Sequence, residues 1–452
     1  MVGYKSYKKT PEAIWYKSVP ESWNSTKMRE LFSERTTKVS DKDYPALSVG
    51  KMGVVPQLET AVKTDNGDNR KLICEGDFAI NSRSDRKGSS GISDYTGSAS
   101  LIITVLKPYE SLNRKYYHYL LRSNGFVEEF YRNGKGLVSD LWTTKWQEMK
   151  NIYIPVPPKA EQDQIVRYLE WKTSEIDRFI HQKKKQIKRL EEYKFTKMDE
   201  LVTKGLDNSI PMKESGVEWL GQIPVHWDVH TIKQHFRVRK RIAGKEGYDV
   251  LSITQQGLKV KNIASNEGQM AQNYSGYQFV YPGDFAMNHM DLITGYVDLS
   301  DKFGVTSPDY RVFSLEDTAN CYPEFYLRVF QIGYKRQIFY KFGKGAANQG
   351  RWRLPQRAFY NYSIQVPPFE EQIAIEKECV ILEKKIDEMI EALHKEINLL
   401  QELRTKIIAD VVTGQIDVRD EVIPEYDNTE DIEPNDEIEN ETDNEEESDE
   451  EA

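Results

Sequence analysis

One stretch of the chain occurs twice. Residues 154–207 align without a gap with residues 364–417, which lie 210 positions further on, and 17 of the 54 aligned positions are identical. Unrelated sequences of ordinary composition share about one position in sixteen. The stretch is therefore an internal duplication, and any fold of this chain has to place two copies of it.

Both copies carry the apolar repeat of a coiled-coil helix. The apolar stripe, called the seam below, consists of Leu169, Ile176, Ile180, Ile187, Leu190 and Leu201 in the first copy and Ile386, Ile390, Leu393, Ile397, Leu400, Ile407 and Val411 in the second. Four charged residues interrupt it: Lys183, Lys194, Glu383 and Arg404. A helix of about 45 residues is about 65–70 Å long at ~1.5 Å per residue. Because a lone helix cannot bury such a narrow stripe, each copy needs a partner, and the other copy is the nearest candidate.

The duplication extends beyond these helices. Trp15, Pro20 and Trp23 recur as Trp219, Pro224 and Trp227, GDFAIN at 76–81 recurs as GDFAMN at 283–288, and GKG occurs at 134–136 and 343–345. Within the repeated units, strands are expected at 100–106 and 311–313, and helices at 114–131 and 323–340. We predict an α+β fold with an internal pseudo-twofold duplication. Its parts are a mixed α/β unit at 1–156, a helix at 157–208, a second mixed unit at 209–366, a second helix at 367–418 and an acidic tail at 419–452.

The charge of the chain is divided unevenly. The formal net charge is −10, but residues 420–452 contain 18 acidic side chains and no Lys or Arg, which leaves 62 basic against 54 acidic side chains elsewhere. The folded part is therefore mildly basic. The tail has too few apolar residues to offset its ordering entropy and is predicted to be disordered. It could be a solubilising extension, compete with nucleic acid for the basic surface, or dock to a basic partner.

Cysteine usage and hydropathy indicate a cytoplasmic protein. Cys74, Cys321 and Cys379 are too few and too scattered for a disulfide framework or a zinc knuckle. The longest aliphatic run is LIITVL at 101–106, and the N-terminal residues lack an apolar export segment. We expect no membrane partner and no metal site.

Familiar catalytic motifs are not evident in the sequence. The tetrapeptides VPPK at 156–159 and VPPF at 366–369 differ from the [DN]PP[FYW] motif of adenine methyltransferases, because Val cannot accept the hydrogen bonds of an amino group. No GxxxxGK[ST] phosphate loop is present. A nuclease centre built from Asp309, Glu383 and Lys385 would need two residues from the coiled-coil helix. The chain is therefore predicted to have no catalytic residues and no cofactor of its own.

Two polar loops in each unit are the candidate binding residues. They carry Asn81, Arg83, Arg86, Lys87, Lys135 and Ser139 in the first unit, and Asn288, His289, Lys344, Asn348, Gln349, Arg351 and Arg353 in the second. Arg can bind guanine and Asn or Gln can bind adenine with paired hydrogen bonds, while Lys in a glycine turn suits a phosphate. Taken singly, each residue is also compatible with an ordinary solvated loop. Equivalent loops with different polar groups are what two readers of different short DNA sequences require. Trp142 and Trp352 beside these loops are interpreted as core anchors rather than as stacking platforms.

The repeated motifs together resemble one known family. The PxPPxxEQ-like elbows at 155–162 and 366–372, the endings VTKGLD at 202–207 and VTGQID at 412–417, and the opening VEWLGQIPVHW at 217–227 are similar to those of the specificity subunit of type I restriction–modification systems. The resemblance covers residues from about 10 to about 420. It departs from the family pattern in the acidic tail and in the first opening, AIWYKSVPESW, which lacks the glycine of the second.

This resemblance implies a function and a set of partners. The mixed units are expected to be target recognition domains that each read half of an interrupted, asymmetric site in double-stranded DNA, and the paired helices are expected to act as a ruler between them. Two methyltransferase subunits that use S-adenosylmethionine for adenine-N6 methylation, and two ATP-driven restriction subunits that use magnesium, are the implied partners. Two other functions stay open: a stand-alone DNA-binding regulator, and a coiled-coil scaffold that binds protein.

Overall fold

The structure is a computed structural model that describes residues 3–58, 67–109, 112–136, 142–262, 273–345 and 352–426. The chain forms two compact units. Unit 1 contains Met1–Lys185 and Leu393–Ala452, and unit 2 contains Gln186–Ala392. Each long helix therefore contributes one part to each unit. The boundaries predicted from sequence instead treat each helix as a separate part of the chain.

Unit 1 begins with a series of short strands and continues with three helices. Its elements are β1 (Tyr7–Lys9), β2 (Ser18–Pro20), β3 (Asn24–Lys27), β4 (Phe32–Glu34), β5 (Lys38–Val39), β6 (Leu47–Gly50), β7 (Gly53–Pro56), β8 (Arg70–Ile73), β9 (Phe78–Asn81), β10 (Ser90–Ile92), β11 (Gly97–Ala99), β12 (Ile103–Pro108), α1 (Arg114–Leu121), α2 (Asn124–Arg132), α3 (Trp146–Met149) and β13 (Tyr153–Val156), followed by the long helix α4 (Lys159–Lys204).

Unit 2 repeats this order. Its elements are β14 (Met212–Glu214), β15 (Gln222–Pro224), β16 (Asp228–Thr231), α5 (Ile232–His235), β17 (Phe236–Arg239), β18 (Leu251–Thr254), β19 (Gly257–Val260), β20 (Gln278–Val280), β21 (Asp284–Met287), β22 (Val297–Leu299), β23 (Gly304–Thr306), β24 (Arg311–Leu315), α6 (Pro323–Lys335), α7 (Ile338–Lys341), α8 (Gln356–Tyr360) and β25 (Ser363–Val366), followed by the long helix α9 (Phe369–Val412). The two expected aromatic helices are each divided, into α1 and α2 and into α6 and α7.

The central sheets of the two units have the same strand order. Unit 1 has the antiparallel order β10-β9-β12-β4, and unit 2 has β22-β21-β24-β17. Their registers also correspond, because Phe78 pairs with Leu106 in unit 1 and Phe285 pairs with Phe313 in unit 2, 207 positions later on both strands. The duplication seen in the sequence is therefore a duplication of fold.

The two long helices pack against each other within both units, as the seam predicts. Seven of the thirteen seam residues are buried and the other six are half-buried. In unit 1, Lys183 contacts Glu396 at 2.5 Å and Arg404 contacts Asp177 at 3.1 Å, so the numbering rises on one helix while it falls on the other. This arrangement is antiparallel.

The charged interruptions of the seam all have oppositely charged partners. Besides the two pairs in unit 1, Lys194 lies 2.7 Å from Asp387 and Glu383 lies 2.8 Å from Arg328 in unit 2. These pairs neutralise charges that the coiled-coil stripe would otherwise hold against apolar neighbours. The chain is an α+β protein with two mixed units on antiparallel helix pairs.

Each repeated elbow is held by a glutamine at the start of its long helix. The buried Gln372 amide donates to the carbonyls of Pro367 and Asn320, both at 2.8 Å, and accepts from the Tyr322 backbone N–H at 2.8 Å. Gln162 makes the corresponding bonds to Pro157 and Asn113 in unit 1. These bonds fix the proline turn to the loop before the aromatic helix, which explains why the EQ pair recurs.

The repeated tryptophans complete the elbows. Trp23 and Trp227 are fully buried, and their indole N–H groups donate to Glu161 at 2.9 Å and to Glu371 at 3.1 Å.

Among the residues that the structure describes, no helix is long and apolar enough to cross a lipid bilayer.

Candidate nucleic-acid interface

Two polar loops lie side by side in each unit. Loop A1 (residues 81–89) follows β9, and loop B1 (133–145) is closed by a bridge between Lys135 and Thr143. In unit 2, loop A2 (288–296) follows β21, and loop B2 (343–354) is closed by the equivalent bridge between Lys344 and Arg353. Those sequence-predicted residues that the structure describes thus lie in pairs of loops at matching positions of the two units.

The GDF turns fix where each A loop begins. Gly76 and Gly283 adopt φ values of 81° and 87°, which favour glycine, and the buried aspartate that follows accepts a backbone N–H three residues earlier. Asp77 also binds Arg35 at 2.6 Å, and Asp284 binds Arg241 at 2.7 Å. The repeated motif is therefore structural, since its carboxylate holds the turn rather than facing a ligand.

Hydrogen bonds join the A and B loops of each unit. In unit 1, the Thr144 N–H donates to the Ser82 carbonyl at 2.9 Å and the Ser84 N–H donates to the Trp142 carbonyl at 2.9 Å. In unit 2, the Leu354 N–H donates to the His289 carbonyl at 2.9 Å. Because backbone groups make these bonds, the loops keep their places while their side chains can vary.

A buried tyrosine supports the A loop in the same way in both units. The Tyr131 hydroxyl donates to the carbonyls of Asn81 and Arg86 at 3.3 and 3.0 Å, and the Tyr334 hydroxyl donates to the Asn288 carbonyl at 2.6 Å. Burial raises the pKa of both hydroxyls, so they remain protonated donors. Both A loops are therefore supported by a buried tyrosine hydroxyl, although the two tyrosines stand at different positions of the repeat, on α2 in unit 1 and on α6 in unit 2.

The side chains of loop A1 are tied to local partners. Asn81 is buried, and its side-chain oxygen accepts the Arg83 N–H at 3.1 Å, so this residue shapes the loop rather than facing outward. Arg83 makes a two-pronged contact with Asp85 at 3.0 and 2.9 Å. Lys87 is exposed and lies 2.5 Å from Glu128, while Arg86 is half-buried.

The B loops present cations at their bases. Lys135 is exposed and its ammonium lies 3.1 Å from Glu148, and the side chains of Lys344 and Arg353 are also exposed. Ser139, Asn348, Gln349 and Arg351 lie outside the described residues. An exposed ion pair of this kind is worth about 0–1 kcal/mol, so a phosphate can compete for such a cation at little cost.

The electrostatics of unit 2 differ from those of unit 1. Burial, followed by the nearby charges of Arg311 and Arg353, lowers the pKa of His289 to about 3, so its imidazole is neutral at pH 7. Its Nδ1 atom is buried without a hydrogen-bond partner among the described residues. Asn288 is half-buried and accepts the Met290 N–H at 3.2 Å.

Arg311 supports loop B2 from within the unit and was not among the sequence-predicted residues. It is buried under loop B2, donates to the Leu354 carbonyl at 2.7 Å and stacks over the Phe359 ring at 4.7 Å. Burial lowers its pKa to about 10, so it keeps its charge at pH 7. Arg311 is the first residue of β24, and no local sequence pattern separates it from other buried strand residues.

The two loop tryptophans have different roles. Trp352 donates its indole N–H to the Tyr340 carbonyl at 2.8 Å and packs against the core of unit 2, as expected. Trp142 is 38% exposed, so its interpretation as a core anchor is wrong. Burial increases along the next two residues of the loop, because Thr143 is half-buried and Thr144 is buried, and Trp142 lies on the exposed side of them.

These observations define a class: a protein with two units of one fold, whose equivalent loops carry different hydrogen-bonding groups. Residues 20–189 match the family model described as the type I restriction modification DNA specificity domain. The chain is similar to the specificity subunits of type I restriction–modification systems, and the matched stretch contains loops A1 and B1.

Known proteins are similar to the chain over most of its length. A putative type I restriction enzyme MjaX specificity subunit of Methanocaldococcus jannaschii is 24% identical over 440 residues, which cover 89% of this chain and 95% of that protein. The type I restriction enzyme MjaVIII specificity subunit of the same organism is 26% identical over 288 residues, covering 60% and 63% of the two chains.

A solved structure from work on complex assembly and conformational transition of the type I R-M system has a similar fold. It aligns with a TM-score of 0.59 and 14% identity, and the alignment covers 89% of this chain and all of that one. The similarity supports the architecture of two mixed units on paired helices.

Proposed function

We propose that this chain reads a bipartite, asymmetric site in double-stranded DNA, one half with each unit, and directs reactions that partner subunits catalyse. The observation that carries the proposal is the contrast between scaffold and loops. The sheet register and the GDF turns recur in both units, whereas the loop side chains differ. Selection for two different half-sites on one framework accounts for this contrast.

The loop chemistry fits DNA. Lys135, Lys344 and Arg353 are exposed cations at the loop bases, where phosphates or base edges can reach them. In unit 2, the neutral His289 can accept or donate a hydrogen bond without adding charge. The two units therefore offer different hydrogen-bonding patterns, as an asymmetric site requires.

The proposed partners are two methyltransferase subunits and two restriction subunits. In this assignment, adenine-N6 methylation with S-adenosylmethionine and ATP- and magnesium-dependent cleavage occur on those subunits, and this chain contributes no catalytic residue or cofactor. Apolar side chains outside the seam support subunit docking, because they are exposed on both long helices. They are Phe179, Val380, Ile381, Met389, Leu399 and Leu403. A cytoplasmic location follows from the proposed work on DNA.

A loop exchange tests the proposal. The chain is co-expressed with its methyltransferase subunit, and methyladenine is mapped by long-read sequencing. Loops A2 and B2 are then replaced by A1 and B1, for which the shared registers provide matched junctions. We expect one half of the methylated site to become a copy of the other half while the spacing stays unchanged. Exchange of the β14–β15 turn for the β1–β2 turn is the control and leaves the site unchanged.

A point variant examines one contact. Arg353→Gln removes an exposed cation from loop B2, and Arg357→Gln removes an exposed cation from α8 of the same unit. A lost base contact weakens binding by about 1–3 kcal/mol and relaxes one position of the site, whereas a lost phosphate contact weakens binding to all sequences and reduces its salt dependence.

Methylation that depends on neither loop contradicts the proposal. DNA binding without methyltransferase association favours a regulator, and absence of salt-dependent DNA binding favours a scaffold.

A further inference from the structure

A cysteine, a histidine and an aspartate converge at one point of unit 2, away from the polar loops. His235 ends α5, and Asp317 and Cys321 lie in the segment between β24 and α6. The His235 Nδ1 atom lies 2.9 Å from Asp317 Oδ2 and 3.3 Å from Cys321 Sγ. One ligand atom from each of the three residues lies within 4.8 Å of the others.

The geometry differs from that of a catalytic triad. In a triad, the acid and the nucleophile contact opposite nitrogens of the imidazole. Here both groups face Nδ1, which carries at most one proton and can donate it to only one of them. A cation placed between the three atoms satisfies all of them at once.

We propose that His235, Asp317 and Cys321 form a binding site for a divalent cation of the zinc class. Zinc binds imidazole nitrogen at about 2.0–2.1 Å, carboxylate oxygen at about 2.0–2.2 Å and thiolate sulfur at about 2.3 Å. Tetrahedral coordination with these lengths separates neighbouring ligand atoms by about 3.3–3.6 Å. The observed separations of 2.9 and 3.3 Å approach those values within a few tenths of an ångström. A mixed sulfur, nitrogen and oxygen set favours zinc over calcium or magnesium, which take oxygen ligands.

Neighbouring groups orient each ligand. The His235 Nε2 atom lies 2.7 Å from His230 Nδ1, so Nε2 can donate there when Nδ1 binds a cation. Asn320 orients the Asp317 carboxylate, since its backbone and side chain donate to Oδ1 and its side chain also donates at 3.2 Å to Oδ2, the oxygen that faces His235. Tyr326 hydrogen-bonds to the thiol of Cys321. Metal ligands typically have outer partners of this kind.

The other unit shows that the framework does not require these residues. At a shift of 204 positions, the place of His235 is taken by Leu31 and that of His230 by Thr26, on a strand that pairs in the same way. A structural role common to the fold would therefore not select histidine here. The site is a property of unit 2 alone.

A bound cation would stabilise the link between the recognition fold and its elbow. The segment of Asp317 and Cys321 also contains Asn320, whose carbonyl accepts from Gln372 at 2.8 Å, and it leads to Tyr322, whose N–H donates to the same side chain. Cross-linking α5 to this segment fixes the start of α6 relative to α9. Three protein ligands leave the fourth coordination position of the cation to a water molecule.

Metal content and cobalt spectroscopy test the site in the full-length chain. Purified protein is loaded with zinc, freed of excess metal and analysed by mass spectrometry. We expect one zinc ion per chain. Cobalt(II) in place of zinc is expected to give a thiolate charge-transfer band and the intense visible bands of four-coordination.

Variants identify the ligands. His235→Leu introduces the side chain found in unit 1, and Cys321→Ser removes the sulfur. Both are expected to lose stoichiometric zinc and the charge-transfer band. His230→Ala is expected to lower zinc affinity about 10–100-fold, because it removes only the orienting partner. Cys74→Ser, in unit 1, is the matched control and retains metal and spectrum.

Thermal unfolding supplies an independent measure. Zinc is expected to raise the unfolding midpoint of the wild type and of Cys74→Ser but not that of His235→Leu, whose folding is checked by circular dichroism. Wild-type protein that binds no stoichiometric zinc and gives no charge-transfer band overturns the proposal. A thiolate charge-transfer band that persists in Cys321→Ser also overturns the proposal.

Discussion

Replacing Arg328 by Met is expected to destabilise unit 2 in a pH-dependent way. Arg328 lies on α6 and is largely buried between two carboxylates of α9, at 3.2 Å from Glu376 and 2.8 Å from Glu383. Removing one partner of a buried ion pair costs about 3–5 kcal/mol. Because Met retains the apolar stem and Glu383 is partly exposed, we expect about 3 kcal/mol at pH 7.

The pH dependence follows from Glu376. Burial raises the pKa of this carboxyl group, while the contact with Arg328 opposes that rise. The folded state therefore holds a proton at pH values where the unfolded state has lost it, and stability falls as pH rises through this window. Without Arg328 the pKa of Glu376 rises further and the window widens. The stability deficit of the variant should be largest near pH 8 and smaller near pH 5, at about 1.4 kcal/mol for each unit of added pKa shift.

Urea unfolding of the wild type and the variant at several pH values measures this difference. The double variant Arg328→Met, Glu376→Gln is expected to recover most of the lost free energy at pH 8, because it removes the unpaired buried charge. Arg237→Met is the control, since its pair with Glu316 at 3.3 Å is exposed and is worth less than about 1 kcal/mol. A deficit that is independent of pH, or a double variant as unstable as the single one, refutes the argument.

The remaining predictions concern the duplicated architecture. Gln372→Ala should lower the free energy of unfolding by about 2–3 kcal/mol, because it leaves buried carbonyls and an N–H unpaired, whereas the exposed Gln401→Ala should change the urea midpoint little. Residues 1–210 alone lack the second helix that packs in unit 1, so they should dimerise and direct methylation to a palindromic site; a monomeric fragment in sedimentation analysis would contradict this. Insertion of one in-register heptad into both α4 and α9 should lengthen the spacer of the methylated site by about 10 Å, or about three base pairs, and an unchanged spacer would count against the proposed ruler.

Local patterns in the sequence were sufficient for several features of the fold. The seam follows from an apolar repeat along one helix, and all thirteen of its residues are buried or half-buried. The final strand of unit 2 ends at Val366, directly before the proline pair that stops it. The GDF and EQ motifs could be recognised because each is repeated within the chain, and because each acts through contacts a few residues away or at one joint of its unit.

Other features depend on which distant residues the fold brings together. Nothing local shows that residues 393–426 pack in unit 1 or that Asn81 turns its side chain into its own loop. Loops A and B could each be chosen by composition, but their contact is decided by the sheet register that places the two chain segments side by side.

The cluster of unit 2 is the clearest case. His235 is 82 residues from Asp317 and 86 from Cys321, a separation at which motif spacing carries no information. By itself, the sequence determined the duplication, the helix pair and the polar loops, because these are periodic or repeated. Only the tertiary structure decided which side chains meet, because strand pairing and chain path set those distances.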